Sequence, residues 1–377
     1  MIINNDSLLV NNNNCKSIIY HQDILSFDLD RYKFKNQVNV IITSPPYYNL
    51  RSYLDKEDSF KALEIGNQST LESYLALMKS VFVKLHEMLT DDGVFWLNVG
   101  LISDQKSNII DLPSILRDLC LEVGFCFKSF IIFKKNNAQP NGLKHRGTID
   151  FEMVYLLAKA KDTSYFYDQE GYKEFSNPES MLRVLRGVGD DNKYSDGAPG
   201  QVPHSMNSFR EKDDNRGVPL YRYARSVWDF NIKNFNPKKY GLDIQHFAVM
   251  PLELADRMLN LTTSRLGRCV VCKKQVKPYY EKKTLSKEAL NKKEIEFLSQ
   301  DKRLNKIKNF IINEKTSADI NCCGQSATEN VVVLDPFSGS GTTVLAAHLN
   351  NADSIGIELN KDFILLSEER IKKTLGI

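Results

Sequence analysis

The chain has 377 residues, of which 42% are hydrophobic and 26% charged, a composition typical of globular rather than disordered proteins. Its formal net charge of +3 neither requires nor excludes a nucleic-acid partner, because local patches decide such binding. Seven cysteines in a chain of this length do not indicate a secreted disulfide framework. Residues 1–6 lack the features of a signal peptide, and no apolar run approaches the roughly 20 residues that span a bilayer. We therefore expect a reduced, cytoplasmic protein.

Strands and helices alternate in the first 160 residues. The hydrophobic pattern predicts strands at residues 17–20, 38–42, 94–99, 125–133 and 153–158, and helices at residues 71–89 and 112–123. An Asp-Asp-Gly sequence at residues 91–93 predicts a turn before the third strand. The alternation favours an α/β protein whose doubly wound, mostly parallel sheet is covered by helices on both faces.

Residues 161–243 have no sustained period and are rich in Gly, Asn, Asp, Arg and Tyr. Basic and aromatic side chains are interleaved there: Arg183, Arg186, Lys193, Arg210, Arg216, Arg222, Arg225, Tyr221, Tyr223 and Trp228. Such a set suits contacts with phosphates and bases, although a solvated loop region would have a similar composition.

The remainder of the chain returns to regular structure around one interruption. An amphipathic helix is predicted at residues 246–261, followed by a Lys-rich insertion bracketed by cysteines. The last segment predicts a strand at 331–334, a helix at 342–349, a strand at 354–358 and a helix at 361–375.

A glycine loop joins the strand at 331–334 to the next helix. Its sequence is Asp335-Pro336-Phe337-Ser338-Gly339-Ser340-Gly341-Thr342-Thr343. It lacks the lysine that a P-loop needs, and Val344 stands where a dinucleotide fingerprint needs its third glycine. Glu358 ends the following strand, where a carboxylate can accept ribose hydroxyls. The pattern predicts a nucleoside ligand without pyrophosphate, with a plain tight turn as the alternative.

A second turn, Thr43-Ser44-Pro45-Pro46-Tyr47, follows the buried strand at 38–42. The two prolines remove backbone donors, so carbonyl oxygens, a serine hydroxyl and an aromatic face are left to contact a ligand. These groups suit an amino group held by acceptors, although a rigid turn with Tyr47 in the core is the alternative.

The two motifs, in this order, resemble those of the S-adenosylmethionine-dependent amino-methyltransferases of DNA. The permuted order is similar to that of the β group of bacterial restriction–modification systems, over roughly residues 15–160 and 244–375. The resemblance implies a seven-stranded methyltransferase sheet in circularly permuted order. It also implies that S-adenosylmethionine is the cofactor. The implied partners are double-stranded DNA and a cognate restriction endonuclease that acts on the same site.

The resemblance assigns roles to individual residues. The helix at residue 246 closes over the methionine end of the cofactor, Phe337 packs on the cofactor, Glu358 binds its ribose and Asp23 lies near its adenine. The implied cofactor-binding set is Asp23, Thr43, Asp335, Phe337, Gly339, Gly341, Thr342, Thr343 and Glu358. The implied catalytic set is Ser44, Pro45, Pro46 and Tyr47.

In the implied mechanism the target base is flipped out of the duplex and its exocyclic amine attacks by direct in-line displacement. Tyr47 stacks on the base, and Ser44 and the Pro45 carbonyl accept hydrogen bonds from the amine. A Ser at position 44 is more typical of cytosine-N4 enzymes, whereas adenine-N6 enzymes more often have Asp, so adenine N6 is the alternative. No cysteine lies in a Pro-Cys context, which argues against cytosine-C5 chemistry.

The chain is accordingly divided into five ranges. Residues 1–160 form the catalytic half, 161–243 a target-recognition insertion, 244–265 the closing helix, 266–330 the Lys-rich insertion and 331–377 the cofactor-binding half.

Four cysteines around the Lys-rich insertion predict a structural zinc site. Cys269 and Cys272 form a C-x-x-C pair, and Cys322 and Cys323 would complete a closed tetrahedron of thiolates. Adjacent cysteines are an imperfect spacing, and four reduced thiols are the alternative. A non-catalytic zinc-ribbon nucleic-acid-binding protein would explain these cysteines, but it would leave the glycine loop and the Pro-Pro turn unexplained.

Overall fold

The computed structural model describes residues 2–4, 7–12, 15–140, 144–186, 215–232, 235–242, 249–319, 323–324 and 327–376. The chain forms two compact units. Unit 1 comprises residues 1–168, 225–277 and 319–377, and unit 2 comprises residues 169–224 and 278–318. No helix within these described ranges combines the length and apolar character needed to cross a bilayer.

The strands, in chain order, are β1 (Ile2–Asn4), β2 (Ser7–Asn12), β3 (Cys15–His21), β4 (Val38–Thr43), β5 (Leu89–Val99), β6 (Ile102–Ser103), β7 (Ile109–Ile110), β8 (Cys126–Lys135), β9 (Phe151–Ala158), β10 (Lys173–Phe175), β11 (Val218–Pro219), β12 (Tyr221–Tyr223), β13 (Val227–Phe230), β14 (Arg268–Cys269), β15 (Lys277–Ser286), β16 (Asn309–Asp319), β17 (Thr328–Glu329), β18 (Val332–Asp335) and β19 (Asp353–Glu358). The α-helices are α1 (Leu71–Met88), α2 (Leu112–Val123), α3 (Pro178–Arg186), α4 (Leu252–Thr262), α5 (Lys292–Ser299), α6 (Thr342–Leu349) and α7 (Lys361–Leu375).

Unit 1 is built on a ten-stranded sheet in the order β1-β2-β3-β19-β18-β4-β5-β9-β8-β13. The five central strands from β3 to β5 run parallel, and β9 runs antiparallel to both of its neighbours. The C-terminal strands β18 and β19 lie between the N-terminal strands β3 and β4. This arrangement confirms the predicted α/β class and the permuted order, since the strands near both ends of the chain share one sheet.

The helices of unit 1 cover the sheet with apolar faces that the sequence marks clearly. α1 begins after Thr70, whose hydroxyl accepts a hydrogen bond from the Ser73 amide. The helix buries Tyr74, Met78 and Phe82. α2 begins after Asp111 and ends at Gly124, whose positive φ of 117° favours glycine. The apolar faces pack on strands that are buried along their whole length, such as β4.

Two sequence predictions in unit 1 are wrong in detail. The Asp-Asp-Gly sequence at residues 91–93 lies within the bounds of β5, at a register shift between the pairs Val38–Leu89 and Val40–Val94, and the buried Asp92 carboxylate accepts hydrogen bonds from Thr90 and from the distant Gln275 amide. The helix predicted from residue 246 begins only at Leu252, after Pro251. Residues 243–248 lie outside the described residues.

Unit 2 has a hydrophobic core drawn from both of its chain segments. One segment supplies Met181, Leu182, Leu185, Val218 and Leu220, and the other supplies Leu290, Leu298, Leu304, Ile307 and Phe310. A three-stranded sheet, β11-β16-β15, also combines the segments. The irregular middle region and the Lys-rich insertion were predicted as separate ranges. Large parts of both therefore fold together in unit 2.

The environment of Trp228 differs from the prediction, which placed it among side chains suited to contacts with DNA. It lies on β13 in unit 1 with 1% of its surface exposed, and its indole N–H donates to the Arg225 carbonyl. Trp228 is therefore a core residue of the large sheet. Lys193 and Arg210 of the same predicted set lie outside the described residues.

Candidate active site

A cavity of about 420 Å³ lies at the carboxyl ends of β4, β18 and β19 in unit 1, where open α/β sheets bind ligands. Its volume is in the range of small-molecule sites. Most of the residues predicted for the site line this one cavity: Asp23, Ser44, Pro45, Pro46, Tyr47, Asp335, Phe337, Gly339, Thr342 and Glu358.

Three other predicted residues lie behind the wall of the cavity. The hydroxyls of Thr43 and Thr343 each donate a 2.7 Å hydrogen bond to the Asp335 carboxylate, one to each oxygen. Gly341 has a φ of 71°, and a Cβ there would lie 2.9 Å from the Cβ of Ser367. These residues set the shape of the glycine loop and the position of Asp335.

The glycine loop is tied to the end of β19 through Glu358. The Gly339 amide donates to Oε2 of Glu358 at 2.6 Å, and the Asn360 amide donates to Oε1 at 2.8 Å. Burial raises the pKa of Glu358 to about 7, and it raises the pKa of Asp335 to about 6. The base of the cavity therefore holds two carboxyl groups that ionise near neutral pH, and each is held by donors on two sides.

The Ser44-to-Tyr47 turn is fixed by contacts from neighbouring elements. The Gly100 amide donates a 2.8 Å hydrogen bond to the phenolic oxygen of Tyr47, which lies 3.4 Å from Oγ of Ser44. The phenol of Tyr74 on α1 donates to the Pro46 carbonyl at 2.9 Å. Burial and the nearby Glu152 carboxylate hold the pKa of Tyr47 well above its ordinary value, so its ring is neutral. The turn presents a positioned aromatic ring and a hydroxyl to one cavity.

Several polar residues of the cavity were missed by the sequence reasoning, among them Glu152, Asn98 and Lys135. Glu152 accepts a 2.7 Å hydrogen bond from the Asn98 amide and forms an ion pair with Lys135. Asn98 and Lys135 lie near the carboxyl ends of β5 and β8, whereas Glu152 lies near the amino end of the antiparallel β9, so all three share one edge of the sheet. Asn98, a polar residue in the apolar part of β5, could have been identified from the sequence. Glu152 could not, because its position depends on the direction of β9.

Three described side chains that line the cavity each carry one buried polar atom without a hydrogen-bond partner. Among the described residues, the buried atoms Oε1 of Gln22, Oδ1 of Asn98 and Oγ of Ser338 have no hydrogen-bond partner, and all three side chains line the cavity. Buried polar atoms are normally paired, because leaving one unpaired costs about 1–3 kcal/mol. Their number here supports a ligand with several donors, such as a nucleoside with amino and hydroxyl groups.

The segment preceding α4 also contributes to the cavity. Val249, Met250 and Pro251 line it, whereas residues 246–248 lie outside the described part of the chain. The apolar side chains of this segment suit the aliphatic part of a ligand.

Three of the four predicted zinc ligands lie together, away from the cavity. The Sγ atoms of Cys269, Cys272 and Cys323 all lie within 4.8 Å of one another. The fourth predicted ligand, Cys322, lies outside the described residues.

Comparison with known proteins assigns the chain to a family. The N6/N4 methyltransferase family, described as DNA methylase, matches residues 38–271 and 320–369. The type II methyltransferase M.Cfr9I of Citrobacter freundii is 23% identical over 363 residues, covering 89% of this chain and 81% of the relative. M.SmaI of Serratia marcescens is 24% identical over 359 residues, covering 88% and 83% respectively.

The fold has a counterpart among solved structures. The PvuII DNA methyltransferase, which is cytosine-N4-specific, aligns with a TM-score of 0.52 at 15% identity, covering 94% of this chain and 86% of that one. The family match extends over more than half of the chain and includes both motifs of the cavity. The protein is therefore a DNA methyltransferase of the N6/N4 amino-methyltransferase family.

Proposed function

We propose that this enzyme transfers a methyl group from S-adenosylmethionine to N4 of a cytosine at a specific site in double-stranded DNA. The observation that carries the proposal is that Ser44 and Tyr47 line the same cavity as the glycine loop and Glu358. A cofactor held by the glycine loop and a base stacked on Tyr47 would therefore meet inside one enclosure.

The cofactor would be held by the carboxyl ends of β18 and β19. Glu358 would accept hydrogen bonds from the ribose hydroxyls, and Phe337 would pack on the cofactor. Asp23, which is only 7% exposed, would lie near the adenine. The side chains of Gln22 and Ser338 line the same part of the cavity. When bound, S-adenosylmethionine supplies an electrophilic methyl group on a positively charged sulfur.

The flipped base would be held by the turn that follows β4. Tyr47 stacks on the base, an interaction worth about 1–3 kcal/mol. Oγ of Ser44 and the Pro45 carbonyl would accept hydrogen bonds from the two N–H groups of the exocyclic amine. These acceptors would direct the nitrogen lone pair toward the methyl group of the bound cofactor, so that orientation supplies much of the rate enhancement.

Ser44 favours cytosine N4 over adenine N6. The neutral hydroxyl stands where adenine-N6 enzymes of this kind more often have a carboxylate. The PvuII enzyme, which has the same fold, is itself cytosine-N4-specific, although a likeness of fold does not determine the base. Adenine N6 is the alternative product, made with the same cavity.

Unit 2 would select the DNA sequence. Its segment 169–224 includes most of the described residues of the predicted recognition insertion, and residues 278–318 complete its core. The exposed Tyr223 and the arginines of α3 are candidates for contacts with DNA. A restriction endonuclease that cuts the same sequence would be the cellular partner, as in restriction–modification systems.

The proposal is tested by measuring cofactor binding and methyl transfer separately. Purified protein should bind S-adenosylmethionine in calorimetry and transfer its labelled methyl group to DNA. Gly339 has a φ of 51°, and Gly339→Val should abolish binding because it strains the loop and fills space beside Glu358. Gly376→Ala is the matched control, since Gly376 has a φ of 71° with no atom within 4 Å of an added Cβ. Unchanged binding by Gly339→Val would exclude this cofactor site.

A further inference from the structure

We propose that Cys269, Cys272 and Cys323 hold a structural Zn²⁺. The ion would link the two places in unit 1 where the chain enters and leaves the 278–318 segment. The described ligands all belong to unit 1. This site is separate from the cavity, and the proposal does not depend on which base is methylated.

The distances between the sulfur atoms fit a tetrahedral metal site. Sγ of Cys269 lies 3.4 Å from Sγ of Cys323, and all three sulfurs lie within 4.8 Å of one another. Zn–S bonds of about 2.3 Å in a tetrahedron place neighbouring sulfurs about 3.8 Å apart. The observed spacing is therefore close to that of a thiolate cage and much longer than a disulfide bond of about 2 Å.

The backbone around the C-x-x-C pair is shaped to support thiolates. The Val271 amide donates a 3.4 Å hydrogen bond to Sγ of Cys269, and Lys273 adopts a positive φ of 60° that turns the chain back. The Lys273 amide closes the turn by donating to the Cys269 carbonyl. An N–H group directed at sulfur stabilises the thiolate, which is the form that binds metal.

The cysteine turn is attached to the large sheet. The Asn39 side chain on β4 donates to the Lys273 carbonyl at 2.8 Å, and the Gln275 amide donates to Asp92 on β5 at 2.7 Å. β14 pairs with β17, which places Cys269 opposite Thr328. A metal bound here would be anchored to the core of unit 1.

The positions of the ligands in the chain indicate what the metal does. Cys269 and Cys272 precede the point at which the chain leaves unit 1, after Lys277, and Cys323 follows its return at Asp319. One ion bound by cysteines before and after this 41-residue segment (278–318) would link its two ends. The structure brings together the three thiols of Cys269, Cys272 and Cys323, whereas Cys322, the fourth ligand predicted from the sequence, lies outside the described residues.

Metal analysis of the full chain, purified under reducing conditions without chelator, tests the proposal. The wild type should contain about one zinc per chain, as a single tetrahedral site requires. Replacement by Co²⁺ should produce thiolate-to-metal charge-transfer bands. Cys269→Ser and Cys272→Ser should each lower the zinc content at least fivefold. Cys126→Ser is the matched control, because Cys126 is a half-buried thiol on β8 outside the cluster.

The measurements on wild-type protein keep the proposal falsifiable even where a serine variant fails to fold. Wild-type protein that is metal-free and as heat-stable after zinc addition as before it would overturn the proposal. So would a Cys269–Cys323 disulfide in the reduced preparation, or zinc lost equally from Cys126→Ser. Cofactor binding should persist in folded Cys272→Ser, because the cavity is separate from the cysteines.

Discussion

The hydroxyl of Thr43 donates a 2.7 Å hydrogen bond to the carboxylate of Asp335, which is 292 positions further along the chain. This bond joins the ends of β4 and β18, which carry the catalytic turn and the glycine loop. Thr43 has 1% of its surface exposed and Asp335 has 3%. The bond therefore couples the two halves of the permuted enzyme directly behind the cavity.

Removing this bond should destabilise the enzyme. Thr43→Val leaves the buried Asp335 carboxylate with one hydroxyl donor instead of two, so the free energy of unfolding should fall by about 1–3 kcal/mol. Thr43→Ser keeps the hydroxyl and should recover most of the loss. Urea denaturation measures both variants, and equal stability of Thr43→Val and wild type would show that the bond is energetically unimportant.

Tyr47 should matter for methyl transfer and not for cofactor binding. Tyr47→Ala removes the stacking surface for the base, and the transfer rate should fall by about 5- to 150-fold, which corresponds to about 1–3 kcal/mol per stacked base. Tyr47→Phe retains the ring and loses only the Gly100 and Ser44 contacts, so its loss should be smaller. Steady-state transfer to DNA and calorimetric cofactor binding separate the two effects. Near-wild-type turnover by Tyr47→Ala would exclude the stacking role.

The raised pKa values of Glu358 and Asp335 predict a pH dependence of stability. The ordinary values are 4.5 and 3.8, and the folded values are about 7 and about 6. The folded state therefore binds these protons more tightly, so the stability contribution is fully present below about pH 4 and is lost as the pH rises to about 7. Glu358→Gln should make the decline of the unfolding free energy between pH 4 and 7.5 shallower. An identical slope would contradict the raised pKa of Glu358.

Cofactor affinity should show the opposite trend. The ionised carboxylate of Glu358 is the better acceptor for ribose hydroxyls and attracts the positively charged sulfonium, so binding should strengthen from pH 6 to pH 8. Calorimetric titration of the wild type at several pH values measures this trend. Affinity that weakens as the pH rises would show that protonated Glu358 is the binding form.

Sequence selection should follow unit 2 as a whole. Exchanging only residues 169–224 with a related enzyme should give unstable protein, because Leu182 and Leu220 share one hydrophobic core with Leu298 and Phe310 of the other segment. Exchanging residues 169–224 and 278–318 together should retain the core and change the methylated sequence. Methylation-sensitive sequencing of DNA from expressing cells reports the outcome, and an unchanged site after the double exchange would place specificity in unit 1.

The sequence predicted the elements whose limits are encoded locally. α2 has the predicted bounds because Asp111 caps its start and Gly124 ends it. β18, the glycine loop and α6 follow from a short apolar run interrupted by small residues. In each of these cases the decisive residues lie within a few positions of the element.

Features that depend on distant partners were not predicted. The buried Asp92 carboxylate is paired with the amide of Gln275, 183 positions away. The core of unit 2 was not recognised because each of its two segments supplies only part of the apolar surface. Glu152 joins the cavity only because β9 runs antiparallel to its neighbours.

Nucleoside analysis of DNA from cells expressing the protein tests the central claim most directly. The DNA is digested to nucleosides and examined by mass spectrometry, with cells expressing Tyr47→Ala as the control. We predict N4-methylcytosine in DNA exposed to the wild type and little or none in the control. N6-methyladenine in place of N4-methylcytosine would contradict the base assignment, and 5-methylcytosine or unmodified DNA would contradict the proposed amino-group chemistry.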